Sequence, residues 1–307
     1  MECAIMGIHF VTGEERGMFS LGVAASRKKA ARTTRSISRW LTAPCFVWAA
    51  GCVVLPMLMV IFYAFTNQEG QFTLENITAI TDPVHGVALL DSVVIALQST
   101  AICLVLAYPL AYILSKHTKN SNSVLIMLMI LPMWINFLLR IMALQMIFSN
   151  NGLLNAVLSF FHLPLQHIMY TRTAILIGMV YDYFPFMVLP IYNIMCKIDP
   201  FVIEAAADLG ANSAKTFQKV ILPLSMPGVI SGIIMVFIPS ISEFVIADIL
   251  GWSKLLLIGN VIEQEFSISS NWQLGSGLSM VLMLFILISM AVMNRLNRNS
   301  SEGVGLW

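Results

Sequence analysis

Charged residues are scarce in this sequence. Only 11% of its 307 residues are Asp, Glu, Lys or Arg, while 58% are hydrophobic and the mean hydropathy is +0.83. Soluble globular domains carry roughly 25% charged residues, so this composition argues against a water-soluble protein. We therefore expect the chain to lie in a lipid bilayer and to have no nucleic-acid partner.

Signatures of metal sites and of enzymes are missing as well. The five cysteines include no C-x-x-C pair, the five histidines form no H-x₃-H pair, and the 20 methionines do not cluster in a polar loop. No G-x-S-x-G, H-E-x-x-H or paired catalytic Asp signature is present. The stretch 210–216 resembles a phosphate-binding loop, but Lys215 stands where the second glycine is required. We predict no catalytic residue, no metal and no cofactor in this chain.

Long apolar runs take up most of the chain. A helix needs about 20 apolar residues to cross about 30 Å of hydrocarbon. Because lipid offers no hydrogen-bond partner to the backbone, such segments must be helical. The sequence predicts an all-α membrane protein with six spans, at about 43–65, 89–114, 123–148, 173–196, 223–249 and 275–293.

Basic residues indicate how these spans are oriented. Fourteen of the seventeen lie in the N-terminal tail, after the second and fourth spans, or at the C-terminus, and such a bias marks the cytoplasmic side. We predict a cytoplasmic basic tail at 1–42, a six-helix domain at 43–295 and a cytoplasmic tail at 296–307. The first span has no small-residue cleavage site on its far side, so we predict no cleaved signal peptide. An upstream start codon is an alternative origin for the first seventeen residues.

The polar segment between the fourth and fifth spans has the features of two short helices. Asp199 and Pro200 are typical of a helix start. Gly210 is typical of a helix end, because glycine adopts the left-handed conformation without steric cost. Ser213 is expected to begin a second short helix that ends at Lys219, before the fifth span.

One face of the first short helix is suited to contact with another protein. Glu204 and Asp208 are four residues apart, so they share a face and offer carboxylates to a basic partner. The small side chains of Ala205 and Ala206 allow another backbone to approach closely. The spacing E-A-A-x₃-G-x₉-I-x-L-P, with Val220 in place of the isoleucine, resembles the cytoplasmic loop of membrane subunits of ATP-binding-cassette (ABC) importers. An ordinary loop between two spans is the alternative.

This resemblance implies a type I ABC importer permease fold in which a separate ATPase docks on the loop at about 199–223. It assigns the coupling role to seven residues: Glu204, Ala205, Ala206, Asp208, Gly210, Leu222 and Pro223.

Further stretches between about 43 and 295 are similar to the spermidine/putrescine permeases of this superfamily, most of all to the first, B-type, permease. They are Thr-Leu-Glu-Asn at 73–76, Tyr-Pro-Leu-Ala-Tyr at 108–112, Leu-Pro-Met-Trp at 131–134, Leu-Leu-Arg at 138–140, Tyr-Phe-Pro-Phe-Met-Val-Leu-Pro-Ile-Tyr at 183–192, Asp-Ile-Leu-Gly at 248–251 and Asn-Trp at 271–272. The resemblance implies a bacterial inner-membrane importer with a second related permease, a homodimeric ATPase and an extracytoplasmic substrate-binding protein.

A polyamine crossing the bilayer needs carboxylates and aromatic rings along its path. Six residues are candidates for that path: Trp134, Asp182, Tyr183, Glu243, Phe244 and Asp248. Four of them have an alternative role. Asp182 could form a buried structural pair with Arg140, the two acids of the fifth span could lie at a solvated outer rim, and tryptophans often serve packing or the membrane interface.

Other classes of protein explain fewer of the sequence features than a polyamine importer does. Within the superfamily, an importer of a cationic amino acid, an iron complex or an anion complex is the alternative. A secondary transporter or channel also suits acidic residues in spans, but it leaves the loop motif unexplained. A membrane-embedded enzyme has no catalytic signature to support it.

The distribution of basic residues makes a direct topological prediction. A reporter enzyme that is active only outside the cytoplasm should be active when fused after Gln166 and silent when fused after Ala214. Reporter activity measured in intact cells checks both fusions. The reverse pattern would contradict both the orientation and the interpretation of the loop.

Overall fold

The computed structural model describes Pro44 and residues 47–118, 123–252 and 255–302. The predicted N-terminal tail at 1–42 lies outside these residues. Regular structure in the described part is helical, apart from one isolated antiparallel bridge between Thr66 and Phe72. The chain divides into two compact units, 1–59 and 60–307, and the described residues of the first unit other than Pro44 belong to the first helix.

Thirteen α-helices follow one another in the described part of the chain. They are α1 (Val47–Ala64), α2 (Glu75–Thr78), α3 (Pro83–Thr118), α4 (Ser123–Ile130), α5 (Phe137–Phe148), α6 (Leu153–Phe160), α7 (Arg172–Met195), α8 (Pro200–Asp208), α9 (Ser213–Thr216), α10 (Leu222–Ile241), α11 (Val245–Gly251), α12 (Ile258–Ser267) and α13 (Trp272–Glu302). Short 3₁₀ helices lie at Ala79–Thr81 and Leu131–Trp134, and a π-helical turn lies at Phe217–Ile221.

The six predicted membrane spans are confirmed in number. Six helical segments are long and apolar enough to cross a bilayer: Val47–Ala64, Pro83–Lys116, Phe137–Phe160, Arg172–Met195, Ser213–Ile241 and Trp272–Arg295. Their composition explains why they form helices, since only intrahelical hydrogen bonds satisfy the backbone in hydrocarbon.

Helix α7 lies at the centre of the second unit, in contact with both α3 and α10. Its approach to α10 is close because Gly228 and Gly232 present no side chain there. A Cβ atom on Gly228 would lie 2.9 Å from the carbonyl oxygen of Pro190, and one on Gly232 would lie 2.8 Å from Met187 Sδ. Small residues four apart are the usual means of close helix packing in membranes.

The third span differs from the prediction of one helix at 123–148. Helix α4 ends at Ile130, a 3₁₀ turn carries Pro132, Ile135 is extended, and α5 begins afresh after Asn136. The Asn136 side chain accepts a hydrogen bond from Leu138 N at 2.9 Å, which caps the new helix. Proline and a capping residue thus divide a run whose apolarity alone suggested continuity.

The fifth span also differs from its predicted bounds of 223–249. The helix begins at Ser213, as expected, with Asn212 as its N-cap, and the chain stays helical from Ser213 to Ile241 through the π turn. The expected separate short helix from Ser213 to Lys219 is therefore part of the span. At the other end the helix stops at Ile241, and α11 begins after residues 242–244.

The last helix, α13, runs to Glu302 and so enters the stretch predicted as a C-terminal tail at 296–307. The domain bounds remain a prediction.

Candidate functional site

Two buried side chains of opposite charge meet in the centre of the bundle. Arg140 Nη2 lies 2.7 Å from Asp182 Oδ1, and these side chains are only 8% and 6% exposed. Arg140 belongs to the first turn of α5, and Asp182 lies about 15 Å along α7 from its start. Asp182 therefore lies near the middle of a helix that is long and apolar enough to span a bilayer, where a charge is costly without a partner. The structure shows the pairing that was one of the two interpretations of Asp182.

Glu243 lies in the interruption between α10 and α11 and is held by two hydrogen bonds. Tyr183 Oη donates to its Oε2 at 2.6 Å, and Ile246 N donates to its Oε1 at 3.1 Å. The second bond satisfies one of the free N–H groups at the start of α11. Because Tyr183 follows Asp182 in the sequence, α7 connects the ion pair directly to the interruption.

Helix α12 closes the far side of this interruption. Asn260 is buried, and its Nδ2 donates to the carbonyl oxygen of Phe244 at 3.0 Å. A Cβ on Gly259 would lie 2.8 Å from the carbonyl oxygen of Ser242, so only glycine allows this approach. The sequence analysis missed both residues, because they lie in a stretch assigned to a loop. The apolar run 255–262 around them was the available signal.

The charges at this site do not cancel. Arg140 neutralises Asp182, while Glu243 receives hydrogen bonds only from the neutral groups of Tyr183 and Ile246. Within the described part of the chain, no ion pair to Glu243 is formed. One negative charge is therefore left over, and such a site attracts a cation.

The other predicted pathway residues lie at different distances from this cluster. Phe244 adjoins Glu243 and is 40% exposed. Asp248 lies exposed on α11 and lines a separate cavity with Gln145 and Trp252. Trp134 is 84% exposed and lines an apolar groove next to α4, so the structure does not bring it to the other five residues.

The coupling segment forms a capped helix that projects from the bundle. Asp199 Oδ1 accepts from Phe201 N at 3.0 Å, as expected of the helix start. At the other end Gly210 has φ +79°, its N–H donates to Ala207 O at 2.9 Å, and Ala211 N donates to Ala206 O at 3.0 Å. These two bonds form a Schellman motif, which confirms the helix end predicted at Gly210.

Helix α8 has no buried residue. Glu204 and Asp208 are exposed one turn apart, and Ala205 and Ala206 lie between them. Phe201 is 75% exposed and Leu209 is 90% exposed at its two ends. Carboxylates, small residues and two large apolar side chains together make a surface of the kind that partners cover.

The segment after α8 is attached to the second span through aromatic rings. Phe217, in the π turn, packs edge-to-face on Tyr108 and Tyr112 of α3, with centroids 5.8 and 5.5 Å apart. The Tyr108 hydroxyl also lies 2.9 Å from Ser225 Oγ on α10. Sequence reasoning missed Phe217, because an aromatic residue between two lysine-bearing turns gives no periodic signal.

Metal binding finds no support in the described residues, where no group of three or more His, Cys, Asp or Glu side chains is placed to hold an ion.

Fold, loop and buried charges together define a helical membrane permease. Residues 105–302 match the family described as "Binding-protein-dependent transport system inner membrane component", and the chain belongs to this family. It is a multi-pass membrane subunit of an ABC transporter and not an enzyme. Family membership also separates it from ion-coupled secondary transporters.

Individual members of the family show which proteins the chain is similar to. The chain is 37% identical over 270 residues to the spermidine/putrescine transport system permease protein PotB of Haemophilus influenzae, covering 85% of this chain and 94% of that protein. It is 38% identical over 268 residues to PotB of Escherichia coli, covering 84% and 97%. A crystal structure of a bacterial alginate ABC transporter, in complex with an alginate pentasaccharide-bound periplasmic protein, has a TM-score of 0.65 at 14% identity, covering 85% and 95%. That similarity confirms the type I permease fold.

The Arg140–Asp182 pair makes a stability prediction. Asp182→Asn leaves a buried guanidinium without its counter-charge, so detergent-extracted protein should lose about 3–5 kcal/mol of stability, and adding Arg140→Gln should restore most of it. Thermal unfolding of the purified protein measures both effects.

The pair formed by Arg172 and Asp91 is a matched control. Its atoms are 3.4 Å apart, and its side chains are 39% and 34% exposed, so Asp91→Asn should cost less than about 1 kcal/mol. Equal losses for Asp182→Asn and Asp91→Asn would contradict the structural role of the buried pair.

Proposed function

We propose that this protein is the permease subunit of an ATP-driven importer of the polyamines spermidine and putrescine. It forms the translocation pathway with a second, related permease and couples to a separate homodimeric ATPase. An extracytoplasmic binding protein delivers the substrate, and both termini of the chain face the cytoplasm. The PotB relatives support the substrate class, and the alginate transporter complex supports a periplasmic partner.

The observation that carries the substrate class is the surplus negative charge of Glu243. A polyamine is a chain of methylene groups with ammonium groups, so it needs carboxylates that are not already neutralised. Glu243 meets this need at the interruption of the fifth span, beside the Tyr183 ring and the exposed Phe244. Interrupted helices are the usual place for substrate sites in transporters, because their free backbone groups line a cavity.

Asp182 contributes to the same pathway in a different way. Its pair with Arg140 fixes the position of α7 relative to α5. This places the Tyr183 hydroxyl, and therefore the Glu243 carboxylate to which it donates. Asp248 lies beyond Glu243 on α11, towards the end of the bundle that we assign to the outside. In this proposal the central pathway group consists of Asp182, Tyr183, Glu243 and Phe244, with Asp248 at its entrance.

Coupling to the ATPase is assigned to α8 and its caps. Glu204 and Asp208 offer negative charges to basic residues of the ATPase. The exposed side chains of Phe201 and Leu209 suit an apolar groove on the same partner. Gly210 fixes the angle at which α8 leaves the span. Leu222 and Pro223 begin α10 directly after the π turn, so a push that α8 passes across residues 209–212 to α9 continues along unbroken helix to Ile241.

The whole transporter, expressed in a strain without polyamine uptake, tests this function. Labelled spermidine and putrescine should accumulate in an ATP-dependent way. Gly210→Pro should lower uptake at least about tenfold and reduce co-purification of the ATPase, because proline is locked near φ −65° while Gly210 has φ +79°. Glu204→Arg should have the same effect through charge reversal.

Gly70→Pro is the matched control for this change. Gly70 has φ +80°, donates its N–H to Asn67 O at 3.0 Å and, like Gly210, has open space around the Cβ position. It lies in the loop between α1 and α2, so its substitution should leave ATPase co-purification intact. Normal uptake and normal complex yield in Gly210→Pro would contradict the docking assignment, and absence of polyamine uptake by the unchanged transporter would contradict the substrate class.

A further inference from the structure

We propose that Trp252 and Asp248 form a second ammonium-binding subsite, at the end of the bundle opposite the coupling helix. This inference deepens the proposed function and rests on it for the identity of the natural ligand. The subsite lies in a cavity of about 370 Å³ that is separate from the Glu243 cluster and is lined by Met142, Gln145, Asp248, Ile249 and Trp252.

The chemistry of this lining fits an alkylammonium chain. Asp248 supplies an exposed carboxylate, and in the described residues it forms no ion pair. Trp252 supplies the aromatic side chain that binds cations best, and 64% of it is exposed. Met142 and Ile249 supply an apolar surface on which methylene groups can lie.

Gln145 adds a polar acceptor to the same cavity. Its Nε2 lies 3.5 Å from the carbonyl oxygen of Ile249, which orients the amide between α5 and α11. This contact uses the donor end of the amide, so the acceptor end is the one that suits an ammonium group.

The backbone of Trp252 itself is in an unfavourable conformation. Trp252 has φ +45° and ψ +61°, which is the left-handed region that large residues rarely adopt. Its ring packs edge-to-face on Tyr170, with centroids 5.4 Å apart, and Tyr170 itself has φ +62°. Tyr170 N donates to Leu250 O at 2.9 Å, which connects the two strained segments. Glycine would suit position 252 better for the fold alone, and strain of this kind collects at ligand sites.

The place of the subsite in the fold agrees with a role in substrate entry. Tyr170 precedes α7, and the other end of α7 leads to the coupling helix, about 36 Å away along the helix axis. Asp248 is five residues after Glu243. In this proposal a polyamine binds first with one ammonium group at Asp248 and then moves on to the Glu243 cluster.

Trp252→Gly separates binding from folding, because glycine relieves the strain and removes the ring. The complete transporter, with both permeases and the ATPase but without the binding protein, is placed in lipid nanodiscs, and the Kd of labelled spermidine is measured. We expect Trp252→Gly to raise both the melting temperature and the Kd, the Kd by about two- to fivefold. Trp252→Phe should keep the Kd within about twofold. Asp248→Asn should raise the Kd about tenfold.

Two comparisons make this experiment specific. Ser270→Gly relieves a similar left-handed residue, with φ +51°, that does not line this cavity, so it should raise the melting temperature without changing the Kd. In the double variant Trp252→Gly with Asp248→Asn, the factor by which the Kd rises should be smaller than the product of the two single factors. The reason is that one ammonium group contacts both side chains.

Several results would overturn the inference. Two of them are an unchanged Kd in both single variants and undetectable spermidine binding by the unchanged transporter. The third comes from a separate measurement, in which the binding protein is added to the same nanodiscs and ATPase activity is followed. A Trp252→Gly defect confined to that stimulation would make Trp252 a docking contact. Uptake is measured in parallel. Trp252-dependent binding of spermidine without any polyamine transport would support the subsite and contradict the proposed function. Polyamine transport with an unchanged Kd in the Trp252 and Asp248 variants would support the proposed function and contradict the subsite.

Discussion

A charge inside the bilayer is costly without a partner, and this constraint organises the centre of the protein. Arg140 and Asp182 satisfy it for each other and thereby connect α5 to α7. Tyr183, the next residue on α7, holds Glu243 in the interruption of the fifth span. Three separate segments are therefore fixed relative to one another by polar contacts, in addition to the close packing of α10 on α7 at Gly228 and Gly232. The contacts also leave one negative charge uncompensated, which makes the arrangement suitable for a cation in transit.

The unbroken helix of the fifth span connects the Glu243 site to the segment on which the ATPase is proposed to dock. The helical path from Ser213 to Ile241 is about 44 Å long, so it reaches from the coupling segment to the edge of the interruption. Phe217 packs against Tyr108 and Tyr112 at one end, and Glu243 bonds to Tyr183 at the other. In the proposed function, a rigid-body displacement of α8 is passed across residues 209–212 to this helix and along it to the Glu243 carboxylate. The π turn at Phe217–Ile221 is a point where such a helix can change its winding.

Local features of the fold were predictable from the sequence, and contacts between distant residues were not. Six apolar runs sufficed for the number of spans, and the caps at Asp199 and Gly210 follow from the chemistry of single residues. The interruptions at 131–136 and 242–244 were not predicted. Apolar composition does not indicate where a helix stops within a long apolar run, and the stretch 242–244 contains no proline or glycine. Among the predicted pathway residues, the cluster of Asp182, Tyr183 and Glu243 depends on α7 meeting the interruption. Neither that meeting nor the burial of Asn260 can be derived from spacing along the chain.

The most direct test of the account is the rate of spermidine uptake by the reconstituted transporter carrying Glu243→Gln. Glutamine keeps an acceptor for Ile246 N but removes the charge, so helix α11 remains capped while the attraction for ammonium is lost. Loss of a partly desolvated carboxylate should lower uptake at least about tenfold, with the melting temperature and ATPase co-purification unchanged. Glu263→Gln, a partly buried acid on α12, serves as the control and should transport normally. Uptake by Glu243→Gln at the unchanged transporter's rate would contradict the assignment of the translocation site.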